Sequence, residues 1–196
     1  MMPNSIAISI VSGAIVLWVI VLWAMSTQRR LFALDENINN AMSQIGVQLF
    51  CRFNALIALL EIIKGYAGQE SKTLVETVKS GRIDITTKST PDEVLRQECI
   101  IDEALGRIAT FSEQYPELKP NKDYCKTLDA VESYENMLYT SRLVYNDSVA
   151  KLNREIRMIP VFIIAGMLGF SKRNYLENRK KEQRKKNRGR KPVGGL

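Results

Sequence analysis

The side chains that could do chemistry in this chain are few. Cys51, Cys99 and Cys125 are its three thiols. They make no C-x-x-C pair and lie in helical patterns, so they have the spacing of neither a zinc site nor a disulfide framework. They read as small buried apolar residues. The sequence has no histidine, which removes the commonest general base and the commonest neutral metal ligand. No phosphate loop, G-x-S-x-G or H-E-x-x-H pattern occurs. What remains is a set of polar side chains in or beside apolar seams: Arg52, Glu135, Arg142, Tyr145, Asn146 and Asn153. The last three could line a polar pocket. On one long helix they suit hydrogen bonding across a helical bundle better. The expectation is a protein that is not an enzyme and uses no metal or cofactor.

The elements that must position those residues begin with an anchor. Ile6 to Met25 is twenty residues without a charge, about 30 Å as a helix, which matches the hydrocarbon core of a bilayer. A cleaved signal peptide would have a basic segment before a shorter apolar run. No Lys or Arg precedes this run, whereas Arg29 and Arg30 follow it. The positive-inside rule then predicts a single-pass protein of the cell membrane, its N-terminus outside and its body in the cytoplasm. Ser5, Ser9 and Gly13, four residues apart, would let two such spans pack closely.

Residues 28–159 read as helices throughout. Ile38, Met42, Ile45, Leu49, Arg52, Leu56, Leu59, Ile63 and Tyr66 step by four and three, the coiled-coil period. Gly65 and Gly68 interrupt that seam, and a short second helix extends from there to about Lys79. Thr90-Pro91-Asp92-Glu93 is a capping box with proline at the first helical position. It opens a third helix, which ends near Pro116. A fourth runs from about Asn121 to Met158. The first and fourth are about 58 and 57 Å long. The fold class expected is all-α: an N-terminal transmembrane helix, then a long up-and-down antiparallel four-helix bundle. Two shorter helices cannot cover two long ones, so a two-helix stalk near the membrane should pack on neighbouring protomers. In this layout, paired residue numbers on the first and fourth helices total about 187. Arg52 then faces Glu135, either as a buried ion pair that fixes register or as two side chains reaching solvent from the seam's edge.

Three stretches also resemble the LemA family of membrane-anchored bacterial proteins. Met42-Ser43-Gln44-Ile45-Gly46-Val47-Gln48-Leu49, with Lys64-Gly65-Tyr66-Ala67, resembles its first-helix signature. Tyr115-Pro116-Glu117-Leu118-Lys119 resembles the turn before its last long helix. Arg142, Tyr145-Asn146, Asn153, Ile156-Arg157, Pro160 and Ala165-Gly166-Met167-Leu168-Gly169-Phe170 resemble the signature of that last helix and of the segment after it. The resemblance implies a helical bundle behind an N-terminal anchor and brings no catalytic residues. Some members are associated with magnetosome membrane formation, which extends the expected location to such an intracellular membrane. The chain departs from the family where Gly46 stands for an acid, Cys51 for a basic residue and Ala58 for proline. The missing acid would lie beside Arg142, which then needs another partner, Glu98 or water.

The end of the chain carries its charge. The formal net charge is +7. Residues 172–191 hold eleven basic and two acidic side chains, so they contribute +9 and the rest −2. Val161 to Phe170 is apolar but too short to span, which suits a re-entrant or interfacial segment. An apolar segment and a polybasic run together give stable surface attachment. Lipid contact is thus expected from Val161, Phe162, Ile163, Ile164, Met167, Leu168, Phe170, Lys172, Arg173, Lys180, Lys181, Lys185 and Lys186. The organisation expected is an anchor (1–27), a cytoplasmic bundle (28–159), an interfacial segment (160–171) and a disordered basic tail (172–196) that emerges beside the bilayer. The partners expected are anionic lipid and further copies of the chain. Tyr175 is the one aromatic in the tail available for stacking, so sequence-reading of nucleic acid is not expected. The function expected is a scaffold that self-associates and organises or shapes the cytoplasmic membrane. The alternative is an adaptor that recruits a partner, such as a membrane protease or nucleic acid, through its groove or tail.

Overall fold

The computed structural model of the chain describes residues 3–176. Among the described residues all regular structure is helical: α1 (Pro3–Ser80), α2 (Pro91–Gln114), a 3-10 turn (Pro116–Leu118), α3 (Lys122–Glu155) and α4 (Val161–Met167). The apolar run and the first body helix are one continuous helix. Nothing at residues 26–28 breaks it, and the Thr27 hydroxyl donates to the Trp23 carbonyl at 3.0 Å within the helix. The first part of α1 is long and apolar enough to cross a membrane, and none of it is buried.

α1 bends back at one residue. Gly68 has φ 57° and ψ −123°, outside the helical region, a conformation that a side chain disfavours. Gly65, the other expected interruption, stays helical. Across the break Lys79 reaches Glu61 at 3.3 Å. Eighteen residues of straight helix would hold them about 27 Å apart, so residues 69–80 fold back along the first limb.

α3 lies antiparallel to that limb, tied at three heights. Arg30 pairs with Glu155 at 2.6 Å near the foot. Arg52 meets Glu135 at 3.1 Å in the middle. Asn121 donates to the Tyr66 hydroxyl at 3.1 Å at the far end. The heptad positions supply the core between them. Ile38, Met42, Ile45, Leu49, Leu56, Leu59 and Ile63 are buried from α1, Leu138, Tyr145, Val149 and Leu152 from α3, and Val94, Ile101 and Ile108 from α2. Caps set the helix starts. Thr90 and Glu93 close a capping box on α2, and the Asn121 side chain accepts from the amides of Asp123 and Tyr124. The loop between α1 and α2 crosses the first limb at Gly46, where a Cβ would overlap the Ile85 carbonyl oxygen.

Beyond α3 the chain turns at the foot of the molecule. α4 lays Ala165 into the core, and Phe170 meets Phe32 edge-on, with ring centroids 5.3 Å apart. The chain then leaves through Gly169 (φ 76°) and runs as an extended strap through Leu176. Disorder was expected from residue 172, and the structure differs: residues 172–176 are docked, with Leu176 buried. The strap also runs from the level of Asn153 to that of Asn146. That direction is away from the apolar run, so the chain up to Leu176 climbs from the foot instead of emerging beside it. Lys180, Lys181, Lys185 and Lys186 lie outside the described residues.

Candidate functional site

The polar residues of α3 converge on the strap. Asn153 accepts from the Arg173 amide at 3.0 Å and donates to the Arg173 carbonyl at 2.9 Å. Asn146 repeats this with Leu176, accepting at 2.8 Å and donating at 2.9 Å. A side-chain amide has one acceptor and one donor group side by side, which matches the N–H and C=O of a single residue. Between them the Tyr145 hydroxyl donates to the Asn174 carbonyl at 3.1 Å. Burial raises the Tyr145 phenol above its ordinary pKa, and the Arg173 charge offsets part of that rise.

Spacing makes the arrangement possible. Asn146 and Asn153 are two helical turns apart, about 10.5 Å along α3. Three residues of extended chain cover about 10 Å. The backbone of Arg173 and Leu176 is thereby held three residues apart, and Phe170, Arg173 and Leu176 also use their side chains. Phe170 lies on Phe32. Arg173 pairs with Asp35 of α1 at 2.9 Å. Leu176 is 1% exposed. Asp35 and Leu176 were not singled out in the sequence. The available signals were two asparagines seven residues apart and one leucine inside a basic run.

The other polar seam residues form separate clusters. The Arg52 side chain is 4% exposed and faces both Glu135 at 3.1 Å and Asp102 of α2 at 3.4 Å. Asp102 is a partner that pairing the two long helices alone did not reveal. Arg142 lies 3.2 Å from Glu98, and both are largely buried. Glu98 thus stands where the family's missing acid would have been needed, while the Ile85 backbone fills the space beside Gly46.

The residues expected at lipid divide. Phe162, Ile163, Met167 and Leu168 are exposed, and Met158 and Ile159 extend the same apolar foot. Val161, Ile164 and Phe170 are half-buried toward the bundle. Lys172 is exposed, and Arg173 is engaged by Asp35. On the apolar run, Gly13 faces open space, and Ser9 is exposed, its carbonyl accepting from the Ser12 hydroxyl. The side chain of Ser5 lies outside the described residues. Among the described residues no cluster of Cys, Asp or Glu could hold a metal ion.

Protein LemA of Metamycoplasma hominis is 31% identical over 127 residues, covering 62% of this chain and 56% of the relative. The chain thus spans little more than half the length of that curated relative. The LemA family model matches residues 41–188, which takes in the Arg52 cluster, the two asparagines, the foot and the strap. By that match, which extends over most of its length, the chain belongs to the LemA family.

Proposed function

We propose that this protein is a non-enzymatic, membrane-anchored helical scaffold on the cytoplasmic face, which self-associates and organises the membrane around it. The carrying observation is the apolar foot. α4 packs on α1, Phe170 just after it meets Phe32 just past the apolar run, and Phe162, Ile163 and Met167 are turned outward at 61–84% exposure. Two apolar elements at one end of a helical body give both an anchor and an interfacial patch. The membrane contact of this reading is the span, α4 and Lys172. The charge asymmetry across the span supports an outside N-terminus.

The two limbs of α1, α2 and α3 support a four-helix up-and-down arrangement at the tip, with α1 and α3 continuing toward the foot under the strap and α4. Met137, Leu143 and Val144 of α3 are about half exposed and supply an apolar surface for a second copy. The test is protease accessibility in intact spheroplasts, combined with the mass of the detergent-solubilised protein. A protected body and a multiple of the chain mass are expected. Digestion of the body from outside would overturn the orientation, and a monomer would overturn self-association.

A further inference from the structure

We propose that the groove between α1 and α3 is a polypeptide-binding site that the chain's own residues 170–176 hold closed. Its partner is an extended segment with an aromatic or large apolar residue, an arginine and a leucine at three-residue intervals. This goes beyond the scaffold reading and does not depend on self-association.

Extended peptides are captured by main-chain hydrogen bonds for affinity and by side-chain pockets for selectivity. Both parts are present. Asn146 and Asn153 each take the N–H and C=O of one residue, groups that every residue except proline offers. Tyr145 takes a third carbonyl. Selectivity comes from Asp35 facing an arginine, from the enclosed hole that takes Leu176, and from the Phe32 ring edge that takes Phe170. The segment in place is not part of any helix. Ser171, Lys172, Asn174 and Tyr175 face outward, and Gly169, at φ 76°, is the turn from which it departs. Withdrawing residues 171–176 breaks no hydrogen bond of a helix, and the Phe170 amide, which caps α4 on the Ala165 carbonyl at 2.9 Å, marks where the segment hinges. A tethered occupant competes at high effective concentration, so a partner's apparent affinity is reduced by the fraction of chains whose groove is closed.

The test uses the full chain in detergent and a fluorescent peptide of residues 169–177, Gly-Phe-Ser-Lys-Arg-Asn-Tyr-Leu-Glu. Arg173→Ala with Leu176→Ala weakens the chain's own strap and leaves the groove intact. That variant should bind the peptide about tenfold or more tightly than the parent protein. Adding Asn146→Ala and Asn153→Ala should remove the binding, as should replacing the peptide's arginine by glutamate. Equal binding by parent and strap variant would overturn the proposal, as would binding that survives loss of both asparagines. Hydrogen exchange on the unaltered protein gives an independent reading. The amides of Arg173 and Leu176 should exchange by local opening, well ahead of Ile45 and Val149. Exchange of all four together, only on global unfolding, would also overturn it.

Discussion

Arg52 is buried, yet Glu135, which it faces at 3.1 Å, is not: their side chains are 4% and 38% exposed. The cation lies on the dry side of the seam and its acids at the rim, with Asp102, 51% exposed, as the second at 3.4 Å. The Arg52 Nε has no hydrogen-bond partner. The arrangement is therefore neither a fully buried pair nor two side chains in solvent. Because Asp102 remains, Glu135→Leu should cost about 1–3 kcal/mol in urea unfolding, below the roughly 3–5 kcal/mol of a stranded buried charge. Removing both acids should reach that larger cost. A loss under about half a kcal/mol for both changes together would mean that the arginine escapes to water.

That cluster also shows how far the sequence could be read. A period of four and three fixes which face of each long helix is inward, and near-equal lengths fix the register, so Arg52 and Glu135 follow from spacing alone. Arg30 with Glu155 and Tyr66 with Asn121 obey the same register. The strap follows no period. Its recognition is made by main-chain groups, which every residue carries, and residues 172–176 sit in a charge run whose ordinary reading is solvation. The polar residues of α3 were legible as bonding groups, but their partner was not, because nothing local to Asn146 points to Leu176. The single helix through residues 27 and 28 was hidden for the opposite reason. Apolar character changes there while helix-forming character does not.

Gly46→Ala should destabilise the protein by about 1–3 kcal/mol, through forced movement of the loop rather than helix propensity. A Cβ there overlaps the Ile85 carbonyl, whereas Gly65→Ala meets nothing nearby and should be stabilising by a few tenths to about 1 kcal/mol. Thermal unfolding of the two variants should shift in opposite directions.

The start of α2 should carry a measurable acid dependence. Thr90 Oγ1 accepts from the Glu93 amide at 3.3 Å, and Glu93 accepts from the Thr90 amide at 2.7 Å. That backbone bond, ahead of the side-chain bonds of Thr90 and Ser89, holds the Glu93 carboxyl below the usual carboxylate range. A depressed folded pKa gives stability that is present above the unfolded value and lost as pH falls through the folded one. Thr90→Ala should cost about 1 kcal/mol at neutral pH. Glu93→Gln should flatten the acid limb of a stability-against-pH curve below about pH 4.3.

Tyr145 predicts the alkaline counterpart. Its folded pKa is raised, first by burial, so its contribution is intact below the unfolded value of about 10 and is lost as pH rises through the folded one. Ionisation also removes the proton donated to the Asn174 carbonyl. Protection of the strap amides should therefore fall as phenolate absorbance appears. Tyr145→Phe should abolish that alkaline step, at a cost of about 0.5–1.5 kcal/mol for the lost bond.

At the foot, a membrane-facing α4 can be separated from one that merely closes the base of the bundle. Met167 is 84% exposed and Ile163 is 61% exposed, whereas Ala165, on the same short helix, is 2% exposed. If the outer face enters the headgroup boundary, a polarity-sensitive fluorophore on Met167→Cys should shift to shorter wavelength when the protein moves from detergent into vesicles. Cys51, Cys99 and Cys125 would be replaced by serine in that background. The same probe at Lys172→Cys, on the polar exit from the foot, should change much less. A paired Ile163→Asp and Met167→Asp change should abolish the shift of a probe at Phe162→Cys while leaving helix content unaltered, because these side chains support no core contact. No shift at Met167 would show that α4 lies in water.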